Sequence, residues 1–224
     1  MHRYKNITLL GTSHIAIQSV KQVEDYIKKH KPYVIALELD PKRFRALQSR
    51  HHKISLKDIR KLGFKGFIIN FIGAWAEKAL GKRVGTKPGA EMRKAIQMAR
   101  EYKLKIALID QNIELTIKKL IKSITFKEKL RFIKDLFIGT PIKKQELKEF
   151  DLKKVPKETT IIKMINQVKG RYPNVYKVLV KERNELMAKN LNKLILLYPK
   201  KSIFAIVGAG HEKGIIGELK LIKN

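Results

Sequence analysis

Two stretches, "NITLLGTSH" (6–14) and "SIFAIVGAGH" (202–211), share one pattern: a short apolar run, a glycine, two further residues and a histidine. Runs this short, rich in β-branched residues and closed by a glycine, read as buried strands rather than helices. "YVIALEL" (33–39) and "KIALID" (105–110) are two more of the same kind. Between them the period changes. Ile17, Val20, Val23 and Ile27 form the apolar stripe of one helix, and Met92, Ala95, Ile96 and Ala99 that of another over 90–103. Strands alternating with helices give an α/β fold with a mainly parallel sheet flanked by helices.

The strands stop between 111 and 200, and helices follow one another. Thr125 with Glu128 makes a capping box for a helix at 126–137, and 173–198 reads as one long helix. The chain is therefore expected to be a single domain over 1–224, with a helical insertion or cap at about 111–200 between the third and fourth core strands. "ELKLIK" (218–223) alternates apolar and charged residues and predicts an edge strand.

The chain carries 50 Lys and Arg against 20 Asp and Glu, a net charge of +30. Each half carries +15, from 24 bases and 9 acids in 1–112 and 26 and 11 in 113–224. An even spread without a basic tail or finger argues against nucleic acid as a partner and leaves contact with an anionic membrane surface open. Without cysteine there is no disulfide and no thiolate metal site. The first residues lack a signal-peptide core, and the most apolar window, "GFIINFIGAWA" (66–76), has about half the ~20 residues of a spanning helix. A cytoplasmic location, with or without membrane association, is the expectation. The longer stretch 63–80, with Trp75, predicts a helix or helix pair beside the site.

The polar residues gather at strand ends. The first strand leads into His14, the second into Glu38 and Asp40, the third into Asp110 and the fourth into His211. In a parallel sheet those ends share one edge, where open α/β folds bind ligands. Glycine before each histidine lets the chain turn off the strand while its backbone stays close to a ligand. Two imidazoles and a carboxylate suit a divalent transition metal, with Zn, Mn and Co all acceptable.

Simpler readings compete. A histidine after a strand is commonly a hydrogen-bonded loop residue; Glu38 has Arg43 and Arg45 nearby to pair with; Asp40 before Pro41 and Asp110 before Asn112 fit helix starts and rank below Glu38. Arg183, four after Leu179 and three before Leu186, falls on the inward stripe of its helix, where a guanidinium needs a carboxylate or an anionic ligand. Glu91 opens its helix, where the N-terminal dipole favours a carboxylate. "GAGHEKG" (208–214) has the wrong spacing for a dinucleotide loop, and "GTSH" lacks a nucleophile elbow.

"LLGTSH", "VIALELDPKRFRAL", "PGAEMRKAIQMA", "IALIDQNIELT", "KERNELMAKNL" and "AIVGAGHEKGI" together resemble the TraB/PrgY (pheromone shutdown) family, in family order over nearly the whole chain. That family is distantly similar to the Tiki metalloproteases and to the erythromycin-esterase-like and ChaN-like fold group. The resemblance implies a metal-dependent hydrolase, most simply a peptidase acting on extended peptides. His14, His211 and Glu38 would be metal ligands and catalytic residues, and Arg183 and Glu91 supporting substrate-binding positions. Many members carry C-terminal membrane-spanning segments, and no stretch of 1–224 has that length. The expected partner is a peptide substrate or ligand, with a homo-oligomer left open. The alternative is a module that sequesters a peptide or small ligand without cleaving it.

Overall fold

The computed structural model describes residues 1–12, 17–49, 89–138 and 158–222. His14, Trp75 and the whole of 63–80 lie outside the described residues. Five strands, β1 (His2–Tyr4), β2 (Ile7–Thr12), β3 (Val34–Leu37), β4 (Lys105–Leu108) and β5 (Ile203–Gly208), form one sheet in the order β1-β2-β5-β3-β4. Only β1 is antiparallel; β5 lies in the middle, parallel to both β2 and β3. β1 is absent from the sequence reading because "HRY" has no apolar run to announce it.

Both faces of the sheet are covered, which is why β2, β3 and β5 are buried along their whole length. On one face Ile7, Leu9, Val34, Ala36, Ile203, Ala205 and Val207 pack under α8 (Glu182–Leu197) and α9 (Glu212–Leu221), through Met187, Ala188, Leu191, Ile215 and Leu219. On the other, Leu10, Ile35, Leu37, Phe204 and Ile206 pack under α1 (Ile17–His30) and α3 (Ala90–Glu101). The expected α3 stripe of Met92, Ala95, Ile96 and Ala99 is buried in full, whereas Ile17 of α1 is 52% exposed.

Where an edge strand is expected at 218–223, residues 218–221 are instead the end of α9. Ile215 and Leu219, one helical turn apart, are both fully buried on the sheet face next to α8. A helix can place that pair inward together, and the local alternation of "ELKLI" is equally consistent with it.

Between β4 and β5 every described element is helical: α4 (Ile113–Ser123), α5 (Phe126–Ile138), α6 (Glu158–Arg171), α7 (Pro173–Tyr176) and α8. The capping box is present: Glu128 accepts from the Thr125 N–H at 3.0 Å, and the Glu128 N–H donates to Thr125 Oγ1 at 3.3 Å. Asp135 binds the Arg171 guanidinium and the Tyr172 hydroxyl, the latter at 2.5 Å, tying α5 to the end of α6. The run 173–198 is not one regular helix, because a π-helical turn, Lys177–Lys181, separates α7 from α8. The wider turn re-phases the helix. Val178 stays in the insertion's own core with Leu120, while Asn184 and Met187 meet the sheet layer.

Candidate functional site

Gly208 ends β5 and Gly11 is the last residue but one of β2, and those strands are neighbours: Gly11 pairs with Val207 and Thr12 with Gly208. β3 flanks β5 on its other side and delivers Glu38 to the same edge, where the Glu38 N–H donates to Ile206 O at 3.1 Å. The carboxylate folds back onto the turn of the second motif. Its Oε2 accepts the Gly208 N–H at 2.5 Å.

His211 stands just before α9 and is buried. Its Nδ1 lies 2.7 Å from Asn184 Oδ1, an atom that can only accept, so the proton belongs on Nδ1. The Nε2 lone pair then points to Arg183 Nη1 at 3.1 Å, with Glu38 Oε1 at 3.5 Å. Asn184 is in turn held against the next motif glycine. A Cβ at Gly214 would come within 2.0 Å of Asn184 Nδ2, so the glycine leaves the space that the amide fills.

Arg183 joins these groups to the end of β4. Its Nε donates to Asp110 Oδ1 at 3.0 Å, its Nη2 to Asp110 Oδ2 at 2.6 Å and to Glu38 Oε1, and its Nη1 to Leu179 O at 3.2 Å. Burial disfavours the guanidinium charge, but Glu38 and Asp110 outweigh that effect and raise its pKa above the ordinary arginine value. Asp110 also accepts from Arg43 Nη2 at 2.5 Å, and Arg43 Nε reaches Asp40 Oδ2 at 2.6 Å. Asp40 caps α2 (Pro41–Gln48) as its sequence position suggests, accepting the Lys42 and Arg43 N–H groups at 2.8 and 3.2 Å. Burial works against the Asp40 charge as well, and the Arg43 side chain and these backbone donors hold its carboxyl below the usual range.

The result is a chain of polar groups, buried except at the half-buried Arg43: Asp40, Arg43, Asp110, Arg183, Glu38, His211 and Asn184. Three carboxylates against two guanidiniums leave it one negative charge, in a protein whose sum is +30. Of the expected site residues, Glu38, His211 and Arg183 are together, and His14 lies outside the described residues. Glu91 is 1% exposed in the first turn of α3, which runs antiparallel to the strands and so begins at the same edge of the sheet. Glu38 pairs with neither Arg43 nor Arg45; its partner is Arg183, 145 residues away. Asp110, which ranks low on sequence, accepts from both arginines.

Asn184 has no role in the sequence reading, and Arg43 has one only as a pairing partner for Glu38. Asn184 had a signal: it precedes Met187 by three and Ala188 by four, on the buried stripe of α8, where an amide needs a polar partner. The partners of Arg43 are Asp40 and Asp110 rather than Glu38, and nothing in its eight-residue helix announces the second, 67 positions away. Beside the site, Gln111, Lys119, Lys177, Lys181, Glu182 and Lys189 line an open cavity of about 470 Å³, with Gln111 and Glu182 the sequence neighbours of Asp110 and Arg183.

A covered parallel sheet with a histidine–carboxylate–arginine cluster at its carboxyl edge defines an α/β protein with its site at the strand ends. The chain belongs to the TraB/PrgY/gumN family, whose sequence pattern it matches over residues 2–224. It is 39% identical over 221 residues to the uncharacterized protein MJ1365 of Methanocaldococcus jannaschii, covering 98% of this chain and 54% of that protein. It is 23% identical over 235 residues to the TraB domain-containing proteins of mouse and human, covering 93% of this chain and 61% of each. The chain thus spans little more than half the length of these relatives. Among the described residues no helix is long and apolar enough to cross a membrane.

Proposed function

We propose that the chain carries a metal-dependent hydrolase site, acting on extended peptides, at the carboxyl edge of its sheet. The observation behind this reading is the pose of His211. Its Nδ1–H is fixed by Asn184 at 2.7 Å, which leaves the lone pair on Nε2, at 3.1 Å from Arg183 Nη1 and 3.5 Å from Glu38 Oε1, as in a metal-ligating histidine whose far nitrogen is held by a polar partner. The donor set fits a divalent transition metal: neutral imidazole, carboxylate, and a cluster with one excess negative charge. Among the described residues no group of three or more such ligands converges, so the third donor is assigned to His14, which lies just beyond β2.

A divalent metal held by His14, His211 and Glu38 would supply Lewis acidity and lower the pKa of a water. The chain's own residues do the rest. Asn184 keeps His211 in one tautomer, the Gly208 N–H and Arg183 fix the Glu38 carboxylate, and Asp110 holds Arg183 in place. Arg183 is therefore a positioning residue in this reading. Its planar fork is engaged by Asp110 and Glu38, and a substrate carboxylate would have to displace one of them.

One observation favours a second reading, ligand capture without turnover: the Arg183 guanidinium already places a cation at His211 Nε2 and Glu38 Oε1. Calorimetric titration of untagged protein with Mn, Co and Zn, combined with mass-spectrometric readout of an extended-peptide pool, separates the two. The hydrolase reading expects near-stoichiometric metal, cleavage abolished by chelation, and loss of both in His14→Ala and His211→Ala. Metal binding unaffected by the double variant, or cleavage that survives chelation, would refute it.

A further inference from the structure

We propose that the opposite edge of the sheet is a second binding site, for a group carrying several phosphate charges. There, where β3, β4 and β5 begin, Lys31, Lys103, Lys105, Lys200 and Lys201 surround Tyr33 in an open cavity of about 400 Å³. Among the described residues no carboxylate lines it. Elsewhere lysines of this basic chain sit beside acids, as in Lys28–Glu24, Lys42–Glu114, Lys94–Glu24, Lys119–Glu182 and Lys213–Glu158.

Three of these ammonium groups, those of Lys31, Lys105 and Lys201, lie against aromatic rings instead. Lys105 Nζ lies 5.0 Å from the ring centres of both Tyr33 and Tyr198 and 3.3 Å from the Tyr198 hydroxyl. Lys201 Nζ is 5.4 Å from Tyr33, and Lys31 Nζ is 6.0 Å from Tyr102. The two tyrosines brace each other edge to face at 5.2 Å. A ring orients an ammonium without cancelling its charge, so the cluster keeps its positive field and has already lost part of its side-chain freedom.

The backbone points the same way. Among the described residues the non-glycine positions with positive φ are Lys5 (50°), Lys31 (41°) and Lys103 (53°), all at this edge. Lys5 turns β1 into β2, and Lys31 and Lys103 follow the last turns of α1 and α3. Each is a place where glycine is the relaxed choice, and each holds a lysine. A cation also suits a helix C-terminus, which accounts for one charge at each helix end. It does not account for Lys105, the first residue of β4, while Lys200 and Lys201 lie in the turn between α8 and β5. Closely spaced ammonium groups, each a compact point charge with rotatable donors, match a polyphosphate or phosphomonoester better than a carboxylate, which calls for the planar fork of arginine.

Calorimetry with inorganic tripolyphosphate at low salt tests this site independently of the metal site. Lys105→Gln with Lys201→Gln should weaken binding at least about tenfold, the loss expected for charge-assisted contacts, while Lys21→Gln with Lys163→Gln, an equal charge change elsewhere, should change it less than about twofold. Lys31→Gly with Lys103→Gly should raise the melting temperature and still weaken binding, which guards against a variant that merely unfolds. Equal losses in the two glutamine pairs, or full binding in the glycine pair, would overturn the site. Vesicles containing phosphatidic acid distinguish the source: co-sedimentation that depends on Lys105 and Lys201 marks a lipid headgroup, and its absence beside tripolyphosphate binding marks a free ligand. A single-stranded oligonucleotide that displaces tripolyphosphate at lower concentration would overturn the assignment in favour of a nucleic-acid surface.

Discussion

Gly214 and Gly217 lie on the same helix, and the same substitution should have opposite effects at the two positions. Alanine for glycine within a helix ordinarily stabilises by about 0.4–1 kcal/mol. At Gly217 a Cβ meets nothing within 4 Å, so Gly217→Ala should gain that amount. At Gly214 the Cβ would come within 2.0 Å of Asn184 Nδ2 and 2.8 Å of its Cγ, so the amide must move. Asn184 is 5% exposed, and its Oδ1 holds His211 Nδ1 at 2.7 Å. Breaking that bond and stranding a buried amide costs about 1–3 kcal/mol, and overpacking adds to it. After the helix gain is subtracted, Gly214→Ala should lose about 1–2 kcal/mol. In a chain of this size that is a fall of roughly 2–8 °C in melting temperature, against a rise of about 1–4 °C for Gly217→Ala. Thermal and urea melts of both variants, with Asn184→Ala added to complete a double-mutant cycle, measure the effect. The double variant should be no less stable than Asn184→Ala alone, because removing the amide makes room for the new methyl. If the two glycine variants shift in the same direction, or if Gly214→Ala and Asn184→Ala are additive, the packing argument fails.

Arg183→Met leaves Glu38 and Asp110 buried with one cation fewer and should destabilise by about 3–5 kcal/mol in urea melts, with Arg183→Lys losing less because it keeps the charge but not the fork. A neutral result would show that the two carboxylates do not depend on it. The carboxyl of Asp135 is disfavoured by burial and more strongly favoured by Arg171 and Tyr172, which hold it below the usual range. Stability from this group is complete above the ordinary carboxyl value of about 3.9 and is lost as pH falls through the lower folded value. Asp135→Asn should therefore be less stable at neutral pH and flatter in its melting temperature below about pH 4, which a pH series of melts will show.

The α/β class was legible because strands buried on both faces, as β2, β3 and β5 are, must be largely apolar, and such runs survive in sequence as "NITLLG" or "SIFAIVG". What failed lay where one pattern serves two structures. Residues 218–221 alternate over too few positions to separate a strand from a helix, and the long helix concealed its π turn because a change of phase leaves composition unaltered. At the site, Glu38 and His211 were legible from their strand ends. The network joining them was not, because Asp110 and Asp40 offer adequate local roles as helix-start residues, and a contact such as Arg183 with Glu38 spans 145 positions. Lys31 and Lys103 were invisible for another reason: only the backbone angle, not the residue type, reveals that a lysine stands where glycine would be relaxed.

The central place of β5 also governs how the chain comes into being. Until residues 203–208 emerge, β1 with β2 and β3 with β4 are separate two-stranded pieces, each with an open apolar edge waiting for the strand that joins them. Two-stranded sheets are marginal in isolation. At ordinary synthesis rates of about 5–20 residues per second, β2 waits roughly 10–40 s for its neighbour. During that interval the nascent chain exposes the edges most prone to pair with other molecules, and the sheet can close only once residue 208 has been made.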